Sequence, residues 1–152
     1  MLRAEGKFVL LSVHGKQLAA FTLQRTGITD MKLAGLQLII LRGSTLEVRD
    51  ARKGTLRHRW TIARSIAGTA LEDAQGNFAV YTAGIAIHVL RLSDGRDQVI
   101  AIEDEAEPAH ADLEPTGLYY SYNTSSGTAA GRVALVPYAR LAAAFATASM
   151  SK

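Results

Sequence analysis

The sequence predicts an all-β fold of repeated antiparallel four-stranded units, finished by a short C-terminal helix. Three observations carry that reading. Residues 35–54 (GLQLIILRGSTLEVRDARKG) and 76–95 (GNFAVYTAGIAIHVLRLSDG) superpose at an offset of 41 residues, with Gly35 on Gly76, Gly43 on Gly84, Val48 on Val89 and Gly54 on Gly95. A further 41 residues lead from Gly76 to Gly117, which opens a third apolar run, GLYYSY. Short β-type runs lie between these glycines, and strand-rich units repeating every ~40–45 residues are the blades of a β-propeller.

The elements follow in order. Residues 7–23, KFVLLSVHGKQLAAFTL, predict two strands joined at His14-Gly15-Lys16. Gly15 lies near the place that Gly54 and Gly95 take in the later copies, so 7–27 is half a blade. The first full blade spans 28–68, with its innermost strand at 28–35 and the others at 36–41, 45–49 and 56–62. The unbroken apolar run at 36–41 suits a strand covered on both faces. Alternation through Leu46-Glu47-Val48-Arg49 places Glu47 and Arg49 outward. Asp50 to Gly54 then supplies a hairpin connection, with Asp opening the turn and Gly taking positive φ at its end. On the outer strand, Leu56, His58, Trp60 and Ile62 share an apolar face for packing against a neighbouring blade, while Arg57, Arg59 and Thr61 take the other face.

The second blade, 69–109, repeats the plan with strands at 70–71, 78–81, 85–92 and 98–102 and a turn at Ser93-Asp94-Gly95. His88 takes the place of Glu47, as a surface or internally satisfied histidine. Residues 103–108 form an acidic connector. The partial blade, 110–136, has strands at 110–114, 118–122 and 133–136, with a Ser/Thr/Gly loop at 123–131. After Pro137 the run YARLAAAFATA predicts a helix at 138–147, with Leu141 and Phe145 four apart as its apolar stripe. No fourth strand follows. Half a blade, two blades and three strands are too few to close a ring of about 4–8 blades. The chain is therefore expected either to pair with itself as a head-to-tail homodimer, each copy lending the other its ends, or to join further blades of a longer chain.

Composition bounds the function. Apolar residues at 48% and charged residues at 20% exclude a disordered or membrane class, and no apolar run approaches the length of a bilayer span. The start, MLRAEGKFVLL, lacks the features of a signal peptide; the cytoplasm is the default location, with a truncated exported protein as the alternative. Without cysteine there is no disulfide, thiol nucleophile or cysteine-held metal. Charge is polarised: residues 1–76 hold 12 Lys/Arg against 6 Asp/Glu, and residues 77–152 hold 5 against 8. Such a chain can steer an anionic partner or associate head to tail with a copy of itself.

The segments LAGLQLIILRGSTLEVRDARKG, NFAVYTAGIAIHVLRLSDGRDQVIAI and HADLEPTGLYYSYN…GRVALVPYARL together resemble the last blades of bacterial WD-repeat-like propellers. They are most similar to the propeller proteins of actinobacteria that are akin to the TolB β-propeller domain. The resemblance covers residues 28–141 and implies an interaction or scaffold role, since its motifs are turns and core strands.

Two constellations carry candidate chemistry. His110, Asp112 and Glu114 alternate on one predicted strand and share a face. On an innermost strand that face borders the channel, where a cation or polar ligand can sit; the competing reading is an edge strand with solvated charges. Arg49, Arg52, Lys53, Arg57, Arg59 and Arg64 form a basic concentration that could meet phosphate. Nucleic acid is disfavoured as its partner, because no aromatic platform interleaves and outer strands are ordinarily solvated. No G-x-S-x-G serine, phosphate loop, dinucleotide fingerprint or HExxH helix occurs. The chain is accordingly expected to be non-enzymatic, without cofactor or metal, and to serve assembly, with another protein as a further partner class.

Overall fold

The computed structural model describes residues 5–66, 68–100, 106–124 and 131–147. The chain divides into two compact units, Met1–Ile62 and Ala63–Lys152. Every described sheet is antiparallel and runs in chain order, because each connection is a hairpin.

In the first unit, β1 (Glu5–Leu11) and β2 (Gln17–Gln24) form a two-stranded sheet. β3 (Ile28–Ala34), β4 (Gln37–Arg42), β5 (Thr45–Asp50) and β6 (Leu56–Thr61) form a four-stranded one. The apolar run expected to be covered on both faces is so: Ile39, Ile40 and Leu41 on β4 are at most 1% exposed. Leu46 and Val48 on β5 complete the buried centre. The β5–β6 connection is held by Asp50, whose Oδ1 accepts from the amides of Arg52 (2.9 Å) and Lys53 (3.1 Å). It ends at Gly54 with φ of 70°, where the amide donates to the Asp50 carbonyl.

In the second unit, β7 (Thr69–Gln75), β8 (Phe78–Ala83), β9 (Ala86–Arg91) and β10 (Asp97–Ile100) repeat the four-stranded plan. The 41-residue period is visible in the register: Leu38 pairs with Arg49, and 41 residues on Ala79 pairs with Leu90. β11 (Ala106–Glu114), β12 (Gly117–Thr124) and β13 (Gly131–Pro137) make a three-stranded sheet, followed by α1 (Tyr138–Thr147). The first strands of these two sheets, β7 and β11, lie side by side, and the Leu113 amide donates to Asp73 Oδ2 at 2.8 Å. One face of β8–β9 packs on Ala111, Leu113 and Leu118, and α1 closes that core with Leu141 and Phe145, each 1% exposed. Phe78 meets Phe145 at 5.4 Å and Tyr138 at 5.6 Å between ring centres. Arg96 caps the helix by donating to the Phe145 carbonyl at 2.9 Å. The fold is thus all-β, built of four-stranded antiparallel sheets with one short helix, as propeller blades are.

Three expectations are corrected. Glu47, placed outward by alternation, is 1% exposed, because charged side chains on neighbouring strands enclose it. The face of the outer strand expected to pack is covered only in part: Leu56 is 43% exposed and His58 is exposed, Trp60 is half-buried and stacked on His58 at 5.4 Å, and Ile62 is buried. β6 is the edge strand of its sheet, and sequence alternation picks out a face without fixing how much of it is covered. The acidic connector is shorter than expected, because Ala106, Glu107 and Pro108 extend β11 by pairing with Thr124, Asn123 and Tyr122. The rest of that connector (103–105) and most of the loop expected at 123–131 (125–130) lie outside the described residues.

Candidate functional site

The residue pattern of β4–β6 gathers charge on one face of the sheet. Glu47 on β5 lies opposite Arg59 on β6. Arg49 is two residues further along the same strand, and Arg42 on β4 pairs with Thr45, two residues back. Strand alternation therefore turns all four side chains to the same side. Arg49 Nε donates to Glu47 Oε2 and Arg59 Nη2 to Oε1, both at 2.8 Å, while Arg42 Nε stands 3.6 Å from Oε1. Arg42 is fixed from behind, with Nη2 donating to the Gln24 carbonyl at 2.9 Å and Nη1 to that of Thr26. Arg49 Nη1 donates to the Gly54 carbonyl at 2.8 Å. Burial pushes the Glu47 carboxyl up, but the hydrogen bonds from Arg49 and Arg59 and the charges of Arg49 and Arg42 outweigh it. The carboxyl is held below its ordinary value of 4.5. The cluster opens on a recess of about 240 Å³ whose remaining walls are Gln24 and Thr26.

The second copy fills the same position differently. His88, 41 residues after Glu47, is 7% exposed and its Nδ1 lies 3.1 Å from Asp97 Oδ2. Tyr81 stacks on the imidazole at 4.6 Å, donates its hydroxyl to Asp97 and accepts from the Ala63 amide at 3.1 Å. Burial and the adjoining Asp97 carboxylate push the Tyr81 phenol well above its ordinary value. His88 is therefore internally satisfied, and this network ties the blade to the segment preceding it.

The basic concentration read from the sequence divides in two. Arg49 and Arg59 join Glu47, together with Arg42, which strand alternation alone does not single out. Arg57 pairs with Asp50, and Arg52 and Lys53 occupy the turn that the same aspartate organises. Arg64 lies between the two four-stranded sheets in sequence, outside any strand.

On β11, His110, Asp112 and Glu114 are exposed while Ala111 and Leu113 are buried, so the three do share a face. His110 Nδ1 lies 3.2 Å from Glu72 Oε2 on β7, and its Nε2 lies 3.4 Å from Asp112 Oδ2. Thr82 donates to the other Glu72 oxygen at 3.1 Å. The imidazole bridges adjacent first strands, whereas Glu114 stands beyond this group at the end of β11. Among the described residues no group of three His, Asp or Glu side chains is arranged to hold a metal ion.

No protein-family model matches the chain, and neither does any curated protein. Solved structures do match. One is the crystal structure of Hsv2 from Kluyvelomyces marxianus, a β-propeller protein, at 11% identity and a TM-score of 0.50. The match covers 84% of this chain and 44% of that one, so this chain spans less than half the length of a propeller it resembles. At that identity the likeness defines a class of fold, the β-propeller. No helix among the described residues is long and apolar enough to cross a membrane.

Proposed function

We propose that this chain is a non-enzymatic β-propeller module for assembly, in which the N-terminal hairpin of one copy adds to the last sheet of a second copy. The observation that carries this reading is the edge of β13. Among the described residues the strand pairs with β12 alone, and it exposes Val133 at 74% and Leu135 at 46%. An unpaired edge with apolar side chains is a template for another strand. β1–β2, a separate two-stranded sheet exposing Val9 (45%) and Leu11 (54%), is an occupant of the right kind. Coverage of less than half of a solved propeller and the opposed charge of the chain's halves support the same reading. The turn and strand motifs at 28–141 support placing the module among WD-repeat-like, TolB-like propellers of actinobacterial type. In a longer chain, upstream blades would take the partner's place.

Light scattering on a size-exclusion column tests self-assembly. The expected mass is that of two chains, falling to one in Leu135→Lys, which puts a charge on the exposed face of the edge strand. A wild-type chain that stays monomeric at about 100 μM, some hundredfold above a micromolar dissociation constant, would overturn the proposal.

A further inference from the structure

We propose that the recess over Glu47 binds a small oxyanion, the phosphate or carboxylate group of a ligand, through Arg59 and Arg49. This site is independent of the assembly proposed above. Three guanidinium groups surround one carboxylate, leaving the cluster at +2 on a partly enclosed surface, with Arg49 and Arg42 side chains only 16% and 22% exposed. A buried carboxylate needs compensation, but two good hydrogen bonds already provide it here.

The second copy supplies an internal control. By strand register the counterparts of Arg42, Arg49 and Arg59 are Ala83, Leu90 and Val99. The same four-stranded sheet forms there with His88 in place of Glu47 and without any of the three cations, so the sheet requires neither the carboxylate nor its arginines. Arg49 and Arg59 suffice to compensate Glu47, so the third cation, Arg42, and the net charge of +2 call for another reason.

Geometry supplies that reason. Glu47 and the carbonyls of Gln24, Thr26 and Gly54 hold Arg42 and Arg49 in place before any ligand arrives. Arg59 is tied at Nη2, while its Nε and Nη1 have no acceptor among the described residues. Its side chain is 56% exposed and lines the recess. Nη2 carries two N–H bonds and gives one to Glu47, so the other can act beside Nε–H or Nη1–H as the edge that donates two parallel N–H bonds to an oxyanion, with fixed positive charge behind it. The recess of about 240 Å³ holds one such group with several waters, each occupying about 30 Å³. A nucleic-acid strand is a poorer fit, because the stacked His58 and Trp60 alternate onto the opposite face of β6 and offer the recess no platform for bases.

The test is a thermal-shift and calorimetric titration with inorganic phosphate and, separately, citrate, each at constant ionic strength maintained with chloride. A saturable rise in Tm with either anion, absent with chloride alone, is the expected result; the anion giving the larger rise identifies the source. Arg59→Gln keeps a donor for Glu47 and sits at an exposed position, so it is expected to fold and to bind at least tenfold more weakly. Arg52→Gln, in the nearby turn and outside the recess, should bind as the wild type does. Equal responses from the two variants, or a wild-type response no larger than that to chloride, would overturn the site.

Discussion

Glu47 and His88 occupy one position in two copies of the same sheet, and each is buried with its own polar partners. Removing charge from Glu47 leaves its arginines facing one another with nothing between them. Glu47→Gln is expected to cost about 3 kcal/mol, in the range found when one member of a buried pair is removed, as read from urea unfolding at pH 7. The pH dependence has a definite sign. Because the folded-state pKa lies below the ordinary 4.5, the contribution of Glu47 is complete above that value and is lost as pH falls through the folded one. The stability gap between wild type and Glu47→Gln should therefore be constant near neutrality and narrow below about pH 4.5. A gap that persists unchanged under strong acid would mean that ionisation of Glu47 is not what stabilises the cluster.

Elements are decided by turns as much as by strands, and Gly54 shows how a turn can reach beyond its own hairpin. Its positive φ disfavours any side chain, and an added Cβ would also lie 2.5 Å from the Phe21 ring. Phe21, stacked on Phe8 at 5.9 Å, helps line an apolar recess of about 170 Å³ between the N-terminal hairpin and Leu33, Leu38 and Ala51. Gly54→Ala is expected to destabilise by about 1–3 kcal/mol, combining backbone strain with overpacking. The loss should appear as faster amide exchange in β1 and β2 as well as in the turn; exchange confined to 50–55 would show that Phe21 simply moves aside. This level was largely legible in the sequence. Spaced glycines gave the turns, the run at 36–41 gave a doubly covered strand, and Leu141 with Phe145 gave the buried face of the helix. The site was less legible. Glu47 lies between Leu46 and Val48, and alternation alone assigns it to water. Its partners Arg42 and Arg59 come from flanking strands, so only the hairpin register brings them together. The outer strand misled in the opposite direction: Leu56, His58, Trp60 and Ile62 alternate as a buried face would, but Leu56 and His58 are exposed and only Ile62 is buried.

At the scale of the whole molecule, the described sheets nearest the two ends of the chain are the incomplete ones. β1–β2 has two strands and β11–β13 has three, so each exposes backbone donors and acceptors that a complete blade would pair. α1 follows β13 directly, but its apolar residues go into the core against β8 and β9. If a second copy satisfies the β13 edge, folding and association are linked, and native stability must rise with protein concentration. The expected outcome is a wild-type Tm that increases by several degrees between about 1 and 100 μM, since a hundredfold change in monomer is worth up to about 2.7 kcal/mol when association is tight. Leu135→Lys should remove that concentration dependence while leaving the Tm of the dilute protein nearly unchanged, because Leu135 is already half open to water there. A Tm that is flat with concentration in both proteins would mean that the edge is not satisfied by a second copy. The partner strand would then have to come from other blades or another protein, and the same Leu135→Lys change would be the way to find out which contact it breaks.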